Sequence, residues 1–385
     1  MKKGLILFNM STRVEWDQGI VNRNYHVFQA LKKSNEFDTI LSIDFLPFTF
    51  KKKIKTMLKG KPWHKNNETV YKSFAVRVDR DVEDQRIFYM TALHARSLKK
   101  IVQALHFPDD ITIWSYNPFM APILTDFSNA FVVFDAVDNW AEHPAYAKFV
   151  PKIESYYKII QKRSNLIFTV SEGLVDFFGK KEHVFFVPNG VDSEHFKQGT
   201  CNKEWKNNHS AAVIGYHGVI QSRVNTAIFE YLAKKHPTYQ FIIAGPIWKE
   251  VKSACTMLQK KYKNIQFIGS IPYAELPDII SCFDVAIIPH KIDAFTQSMN
   301  PLKLYEYLAA GKPVVASAIA GADQFQDLVQ LAVSPEDFSS KIVEALQTDS
   351  DELRNRRQHM AALHSWNKRT TLLFDILHKY SPMIK

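Results

Sequence analysis

Two residues on one helical face, Lys303 and Glu306, are the first candidates for chemistry in this sequence. Asn300 is placed to cap their helix, Pro301 fits its first position, and Gly311 suits the left-handed position that ends it. A lysine in the first turn is disfavoured by the helix dipole by up to about 1 kcal/mol. An anion held by the free backbone N–H groups would remove that penalty, and a diphosphate is the natural candidate.

Glu306 lies one turn beyond this predicted anion site. A carboxylate there is placed to accept both hydroxyl protons of a ribose. The alternative for Lys303 and Glu306 is an ordinary surface ion pair.

A second polar segment, residues 214–223, joins a predicted strand to a predicted helix. Its glycine, Gly218, lets a phosphate approach the backbone closely, and Arg223 is placed to neutralise it. We assign His217 to the same binding site. Because the pattern is neither GxGxxG nor a P-loop, an ordinary strand-to-helix turn is the alternative.

Two carboxylates, Asp135 and Asp138, follow the predicted strand Phe131–Phe134. Carboxylates at the carboxyl end of a strand are candidates for a general base. Asp138 lies further out and is the first choice, whereas capping or bracing the loop is the alternative role for either. Trp16, Asp17 and Arg23 follow the first strand, and we predict that they line an acceptor site; a solvent-exposed loop is the alternative.

No metal site is predicted. Asp79-Arg80-Asp81 lies among other charges and is interpreted as a charged loop, and His64, His209 and His364 lack partners at ligand spacing. The three cysteines are isolated and include no CxxC pair, so neither a disulfide framework nor a cysteine zinc site is expected. That usage suits a reducing cytoplasm.

Short β-branched or aromatic runs alternate with helical patterns along all 385 residues. Such alternation predicts an α/β protein with two Rossmann-like, doubly wound domains facing each other across a cleft. We expect an acceptor-binding domain over 1–192, a nucleotide-sugar-binding domain over 193–350, and a helical segment over 351–385 that packs back on the first domain. The predicted helices include Val21–Lys33, Glu83–Leu105 and Ile153–Arg163.

The net charge of +10 is unevenly distributed. The segment 51–65 holds seven lysines and no acidic residue, and aromatic and aliphatic side chains lie between them. This mixture favours contact with anionic lipid over a nucleic-acid partner, for which no signature is present; a solvated basic loop is the alternative. The predicted membrane contacts are Phe50, Lys51, Lys52, Lys53, Lys55 and Trp63. No secretory signal or membrane span is visible, so we expect a cytoplasmic protein peripheral on the inner face of the membrane.

Three segments resemble GT-B glycosyltransferases, most closely the family 4-like group that builds bacterial cell-surface polysaccharides, including teichuronic-acid-type enzymes. They are Pro188–Asp192, Thr169–Glu172 and the helix–strand segment Lys303–Val315. The resemblance implies a metal-independent hexosyltransferase without a cofactor. Its substrates would be a UDP- or GDP-sugar, bound by the second domain, and a lipid-linked or growing glycan, bound by the first. By this likeness Glu306 holds the ribose, and Gly218, Arg223 and Lys303 surround the diphosphate.

The sequence departs from this family at Ser298. Retaining members carry a glutamate eight residues before the one at 306, and that glutamate helps to recognise the donor sugar. The sugar, the linkage and the stereochemical outcome therefore stay open, as does the choice between Asp135 and Asp138. A nucleotide-sugar epimerase and a non-catalytic surface or coat protein on the same scaffold are the alternatives.

Overall fold

Two separate sheets form from the apolar runs in the computed structural model, which describes residues 2–45, 68–202 and 212–381. They belong to two units, unit 1 (Met1–Val187 with Thr370–Lys385) and unit 2 (Pro188–Arg369). The chain is an α/β protein, as predicted. The predicted division after residue 192 and the units' division after Val187 differ by five residues.

Unit 1 holds a nine-stranded sheet in the order β3-β4-β5-β2-β1-β6-β7-β8-β9. Its neighbours pair in parallel except at β3–β4 and β4–β5, which are antiparallel. The strands are β1 (Lys3–Phe8), β2 (Thr39–Ile43), β3 (Glu68–Lys72), β4 (Val76–Arg80), β5 (Ile87–Ala92), β6 (Asp110–Ser115), β7 (Phe131–Ala136), β8 (Leu166–Thr169) and β9 (Val184–Phe186).

The helices of unit 1 are α1 (Arg13–Asp17), α2 (Arg23–Ser34), α3 (Leu98–Ala104), α4 (Ala121–Leu124), α5 (Val150–Arg163) and α6 (Glu172–Phe178), with 3-10 turns at Pro118–Met120 and Pro144–Phe149. The last helix, α14 (Trp366–Tyr380), supplies Leu373 and Leu377 to the core of this unit. Of the predicted C-terminal helical segment, residues from Thr370 onward belong to unit 1, whereas Asp351–Leu363 belong to unit 2.

Unit 2 holds a six-stranded, all-parallel sheet in the order β12-β11-β10-β13-β14-β15. The strands are β10 (Val213–His217), β11 (Gln240–Ala244), β12 (Ile265–Gly269), β13 (Val285–Ile288), β14 (Val314–Ser317) and β15 (Val329–Ala332). The helices are α7 (Ser193–Lys197), α8 (Thr226–Lys235), α9 (Lys252–Lys261), α10 (Leu276–Ser281), α11 (Leu302–Ala309), α12 (Pro335–Thr348) and α13 (Asp351–Leu363), with 3-10 turns at Tyr273–Glu275, Thr296–Ser298 and Asp323–Phe325.

Helices cover both faces of the unit 2 sheet. Alternate residues of each strand enter different cores: Val213 and Ile242 pack with α11, whereas Ile214 and Phe241 pack with α8, α9 and α12. This period of two is the expected signature of a sheet buried on both sides. Because β10, β13 and β14 are adjacent and parallel, their carboxyl ends lie side by side at one edge of the sheet.

The helix predicted over Glu83–Leu105 is wrong in its first part. Residues 87–92 form β5, which pairs with β2 in parallel and with β4 in antiparallel register. Ile87, Phe88 and Met90 are buried in the sheet. The sequence prediction failed because no turn signal separates this apolar run from the helix that follows it. Pairing with β2 and β4 on its two sides makes the run a strand.

The expectation that the cysteines are unpaired is also wrong. Cys201 and Cys282 form a disulfide across 81 residues of sequence, whereas Cys255 is a buried free thiol. The loop that this bond closes contains β10, α8, β11, α9, β12 and α10. Sequence spacing could not find the pair because the fold alone brings the end of α10 beside residue 201.

Opening this disulfide is expected to destabilise unit 2. Loop-closure entropy for a loop of this length corresponds to about 4 kcal/mol, which reduction or Cys201→Ser would remove. Thermal melting with and without a phosphine reductant measures the effect, and the Cys201→Ser variant should no longer respond to the reductant. Quantitative alkylation of all three cysteines in the untreated, denatured protein would contradict the assignment.

Candidate functional site

The candidate site of unit 2 begins where β10 ends. Gly218 follows His217 with φ of +119°, a conformation that side chains rarely adopt, and its N–H donates to the Ala244 carbonyl at 2.9 Å. A Cβ on Gly245 would lie 2.0 Å from the Gly218 carbonyl oxygen. Two glycines are therefore needed for the close backbone approach here.

Helix α11 supplies the other wall of this site. Leu304, Tyr307 and Leu308 are fully buried and anchor the helix, and Gly311 follows it in the left-handed conformation, as predicted. The predicted start needs correction, because Pro301 is the cap residue and the helix begins at Leu302.

Asn300 does not cap α11. Its Oδ1 accepts the N–H of Asn189 at 2.9 Å, and its carbonyl oxygen accepts from the Asn189 side-chain amide at 2.6 Å. Asn300 Nδ2 has no hydrogen-bond partner in the described part of the chain and is buried. The side chain thus ties the residues after Val187 to the start of α11, which a single sequence pattern could not reveal. Its predicted role in binding stays a prediction.

Glu306 pairs with His217 and not with Lys303. His217 Nε2 lies 2.8 Å from Glu306 Oε2, but the ring N–H is not aligned for a hydrogen bond, so the contact is electrostatic. The backbone N–H of His217 donates to the Tyr307 hydroxyl at 2.8 Å, which fixes the end of β10 against α11. A carboxylate oriented in this way can accept hydrogen bonds from a ligand's hydroxyl groups.

Lys303 is buried to 93% beside a second cation, Arg223. Its ammonium lies 5.1 Å from the centre of the Tyr216 ring. Burial and then Arg223 lower the pKa of Lys303 to about 7, and Glu306 acts in the opposite direction. Within residues 212–381 neither cation forms an ion pair with a carboxylate. Arg223 instead donates to the Gln221 amide oxygen, at 3.1 and 3.2 Å, once that amide is oriented to satisfy both groups.

These contacts bring His217, Gly218, Arg223, Lys303 and Glu306 together, as the sequence predicts for their positions. Two cations without a carboxylate partner are costly unless an anion joins them. The arrangement can therefore hold a multiply charged anion beside a carboxylate that accepts hydroxyl protons.

His290 is a neighbour of this site that the sequence analysis missed. It follows β13, is 1% exposed, and neither ring nitrogen has a partner in the described chain. Burial, then Lys303 and Arg223, hold the pKa of His290 well below its usual value, so the ring is neutral. The rule that functional residues follow strand ends would have found it.

In unit 1 the predicted base Asp135 is part of a buried ion pair. Arg23 Nε lies 2.9 and 3.0 Å from its two carboxylate oxygens, and Arg23 Nη1 donates to the Val187 carbonyl at 2.9 Å. Both side chains are almost fully buried. This arrangement argues for the bracing role for Asp135 and places Arg23 in the core, away from the predicted mouth of an acceptor site.

Asp138, the other predicted base, is half-buried in the loop after β7. It lies close enough to Tyr146 to help raise the pKa of that phenol to about 12, an effect that burial dominates. Tyr146 stacks on Trp140 with ring centres 4.9 Å apart. Asp138 therefore remains accessible beside aromatic rings, and its catalytic role stays a prediction.

The other two predicted acceptor residues, Trp16 and Asp17, lie after β1 and differ in burial. Trp16 is buried and stacks on Phe28 at 5.3 Å, whereas Asp17 is exposed at the end of α1. Their part in acceptor binding stays a prediction.

Asp44 directly follows β2, at the carboxyl edge of the unit 1 sheet. The sequence analysis did not identify this polar residue. Its carboxylate accepts the Arg13 backbone N–H at 2.9 Å and the Thr91 hydroxyl at 3.0 Å. Burial raises the pKa of Asp44 to about 6.

The predicted membrane contacts, Phe50 to Trp63, lie outside the described residues. No helix in the described part of the chain is long and apolar enough to cross a bilayer. The described ranges also contain no cluster of three or more His, Cys, Asp or Glu side chains placed to hold a metal ion.

Comparison with known proteins finds relatives that share the part of the chain containing this site. Residues 218–348, which include Gly218, Arg223, Lys303 and Glu306, match the model of the glycosyl transferases group 1 family. TuaH of Bacillus subtilis, named as a glycosyltransferase of teichuronic acid biosynthesis, is 27% identical over 279 residues, covering 66% of this chain and 67% of TuaH. The chain is a glycosyltransferase with the GT-B fold.

Solved structures share the fold of this glycosyltransferase over nearly its whole length. Anabaena HepE in complex with UDP and glucose has a TM-score of 0.67 at 14% identity and covers 98% of this chain and 100% of its own. The Burkholderia multivorans α,α-trehalose 6-phosphate synthase has a TM-score of 0.67 at 12% identity and covers 98% of each chain. The likeness to the GT-B and teichuronic-acid-type enzymes that the sequence predicts is thus confirmed.

Proposed function

We propose that this glycosyltransferase moves a hexose from a nucleoside diphosphate sugar, most plainly a UDP-sugar, to a lipid-linked or growing cell-surface glycan. The observation that carries the donor class is the pair of cations, Lys303 and Arg223, beside the positive-φ Gly218 and without a carboxylate partner in the described chain. A diphosphate supplies the two negative charges that this site lacks.

Glu306 would receive the ribose in this proposal. Its carboxylate now contacts the His217 ring, and two ribose hydroxyl groups would replace or add to that contact. Support for uridine comes from HepE, whose structures contain UDP and UDP-glucose. Support for a cell-surface glycan comes from the likeness to TuaH.

The chemistry would need no metal ion. As the diphosphate leaves, negative charge develops on its oxygens, and Lys303, Arg223 and the start of α11 would stabilise that charge. In unit 1, Asp138 would act as base toward the acceptor hydroxyl, or orient it if the reaction retains configuration. Chelation by EDTA should therefore leave the initial rate of transfer unchanged.

Ser298 lies at a position that we expect to affect which donor sugar the enzyme binds. It stands where retaining relatives carry a glutamate, and its hydroxyl donates to the Phe295 carbonyl within its own turn at 2.7 Å. We propose that donor-sugar recognition by this position is weaker than in those relatives. The segment 51–65 would hold the protein on the inner membrane surface near its acceptor.

Nucleotide binding tests the donor proposal most directly. UDP, GDP, ADP and CDP, with their common sugars, would be compared by thermal shift in EDTA. A ligand at about 100 times its dissociation constant contributes roughly 2.7 kcal/mol, which should raise the melting temperature by roughly 5 °C. We expect the shift with the uridine class, and Glu306→Ala should abolish it.

The matched control is Glu344→Ala, an exposed glutamate of α12 that should keep the full shift. A shift that is equal for all nucleotides would argue against base selection. Absence of any shift, in a protein that melts cooperatively, would overturn the donor proposal.

A further inference from the structure

Half of the net charge of this protein lies on one side of unit 2. Residues 226–264 contain seven lysines and only two glutamates, Glu230 and Glu250. All seven lysine side chains are exposed. We call the surface formed by them the α9 face; they are Lys234, Lys235, Lys249, Lys252, Lys260, Lys261 and Lys263.

Contacts bring three of these lysines together where α8 and α9 end. Lys261 of α9 bonds Glu230 of α8 at 2.7 Å, which joins the two helices. The Lys234, Lys261 and Lys263 side chains line a cavity of about 430 Å³ beside the helix ends. Lysines in a last helical turn also complement the helix dipole, but that effect accounts for neither Lys249 nor Lys252 at the start of α9.

Apolar side chains are exposed on the same surface. Met257, on the outer side of α9, is 62% exposed, and Trp248, just before the helix, is 41% exposed. Cys255 and Leu258 of α9 are buried, so Met257 and Lys260 point away from the core. Exposed methionine and tryptophan among lysines are typical of helices that lie on a membrane surface.

We propose that the α9 face is a docking surface for an anionic lipid bilayer. The lysines would contact lipid headgroups, and Met257 and Trp248 would insert at the level of the headgroups. Heparin would use the lysines alone and a nucleic acid would add stacking on Trp248, whereas a bilayer also takes up the apolar Met257 side chain, which favours the bilayer. This inference is independent of the donor site, and it adds a contact in unit 2 to the one proposed for segment 51–65.

Vesicle co-sedimentation of the full chain tests the proposal. The vesicles would contain phosphatidylcholine with or without 30% phosphatidylglycerol. In the test variant Lys249, Lys252, Lys260 and Lys263 become Gln. We expect binding to the anionic vesicles to fall on the order of 100-fold in this variant. Wild-type binding should also weaken as salt is raised, because exposed charges are screened.

The matched control removes the same charge from unit 1, by changing the exposed Lys99, Lys100, Lys158 and Lys162 to Gln. Segment 51–65 is intact in both variants. Binding that falls equally in both, or in neither, would overturn the α9 face as a docking surface. Unchanged melting temperatures exclude loss of the fold.

A charge-neutral variant separates the bilayer from other polyanions. Met257→Gln should reduce vesicle binding several-fold and leave binding to a 20-nucleotide single-stranded DNA and to heparin unchanged. Vesicle binding that is insensitive to Met257→Gln, together with tighter binding to DNA or heparin than to vesicles, would overturn the bilayer in favour of a polyanionic partner.

Discussion

Replacing Lys303 by methionine is expected to weaken UDP-glucose binding by roughly 30- to 100-fold at pH 6.5. This is the loss expected when a charge-assisted contact to a phosphate is removed. Methionine fills much of the same volume and suits the contact with the Tyr216 ring, so the fold should be kept. Isothermal titration calorimetry of wild type and variant measures the difference.

The pH dependence of binding gives this prediction a second readout. Lys303 has a pKa of about 7 in the free protein, and a bound diphosphate would hold its proton. Affinity should therefore be greatest below pH 7 and fall by up to about 15-fold between pH 7 and 8.5. UDP-glucose is the suitable ligand because its diphosphate has no proton to lose in that range. The Lys303→Met variant should bind with little pH dependence over the same range.

Other titratable groups near Lys303 set the controls. His290 is neutral at these pH values because burial, then Lys303 and Arg223, keep its pKa well below the usual value. His217 contacts Glu306, so His217→Gln is measured in parallel and should retain the fall in affinity above pH 7. If Lys303→Met keeps the wild-type affinity and pH profile, Lys303 does not contact the diphosphate.

Stability of the free protein should depend on pH with the opposite sign. An unfolded lysine has a pKa near 10.5, so between pH 7 and 10.5 the unfolded chain binds more protons than the folded one. The contribution of Lys303 to the free energy of unfolding therefore rises with pH across that window. Lys303→Met should lose this rise and melt higher than wild type near pH 6.

The second large effect concerns the two aspartates of unit 1. Asp135→Asn is expected to destabilise unit 1 by about 3–5 kcal/mol, because Arg23 would keep a buried charge without its partner. Asp138→Asn should abolish transfer, because the proposed base would be lost, and should cost less stability than Asp135→Asn, because Asp138 is only half-buried whereas Asp135 is fully buried. Urea unfolding and turnover of UDP-glucose with a glycan acceptor measure the two properties.

UDP-glucose binding in unit 2 serves as the control for both aspartate variants and should survive in Asp138→Asn. An Asp138→Asn enzyme with full turnover would remove this residue from the catalytic step. An Asp135→Asn protein as stable as wild type would show that Arg23 finds another partner.

Sequence patterns were sufficient where the signal is local. Strand β7 was predicted from the short apolar run Phe131–Phe134, and Gly311 was predicted as the end of α11. The site in unit 2 was also predictable, because parallel strands bring the residues after their carboxyl ends to one edge. His217 ends β10, Gly218 and Arg223 follow it, and Lys303 and Glu306 lie on one helical face.

Partners distant in sequence could not be predicted in the same way. Asp135 was a possible base until the fold paired it with Arg23, which is 112 residues away. The Asn189–Asn300 contact and the Cys201–Cys282 bond likewise join residues that no pattern connects. Strand β5 was mistaken for helix because its neighbours β2 and β4 determine its conformation.

The sequence by itself determined the two α/β units, the order of most elements and the residue types at the carboxyl edge of the unit 2 sheet. Only the tertiary structure decided what lies beside each charge: Asp135 pairs with Arg23, Glu306 contacts the His217 ring, and Lys303 has no carboxylate partner in the described chain. The physical reason is that element formation depends on the local spacing of apolar residues. The state of a charge depends on burial and on partners that folding brings from elsewhere in the chain.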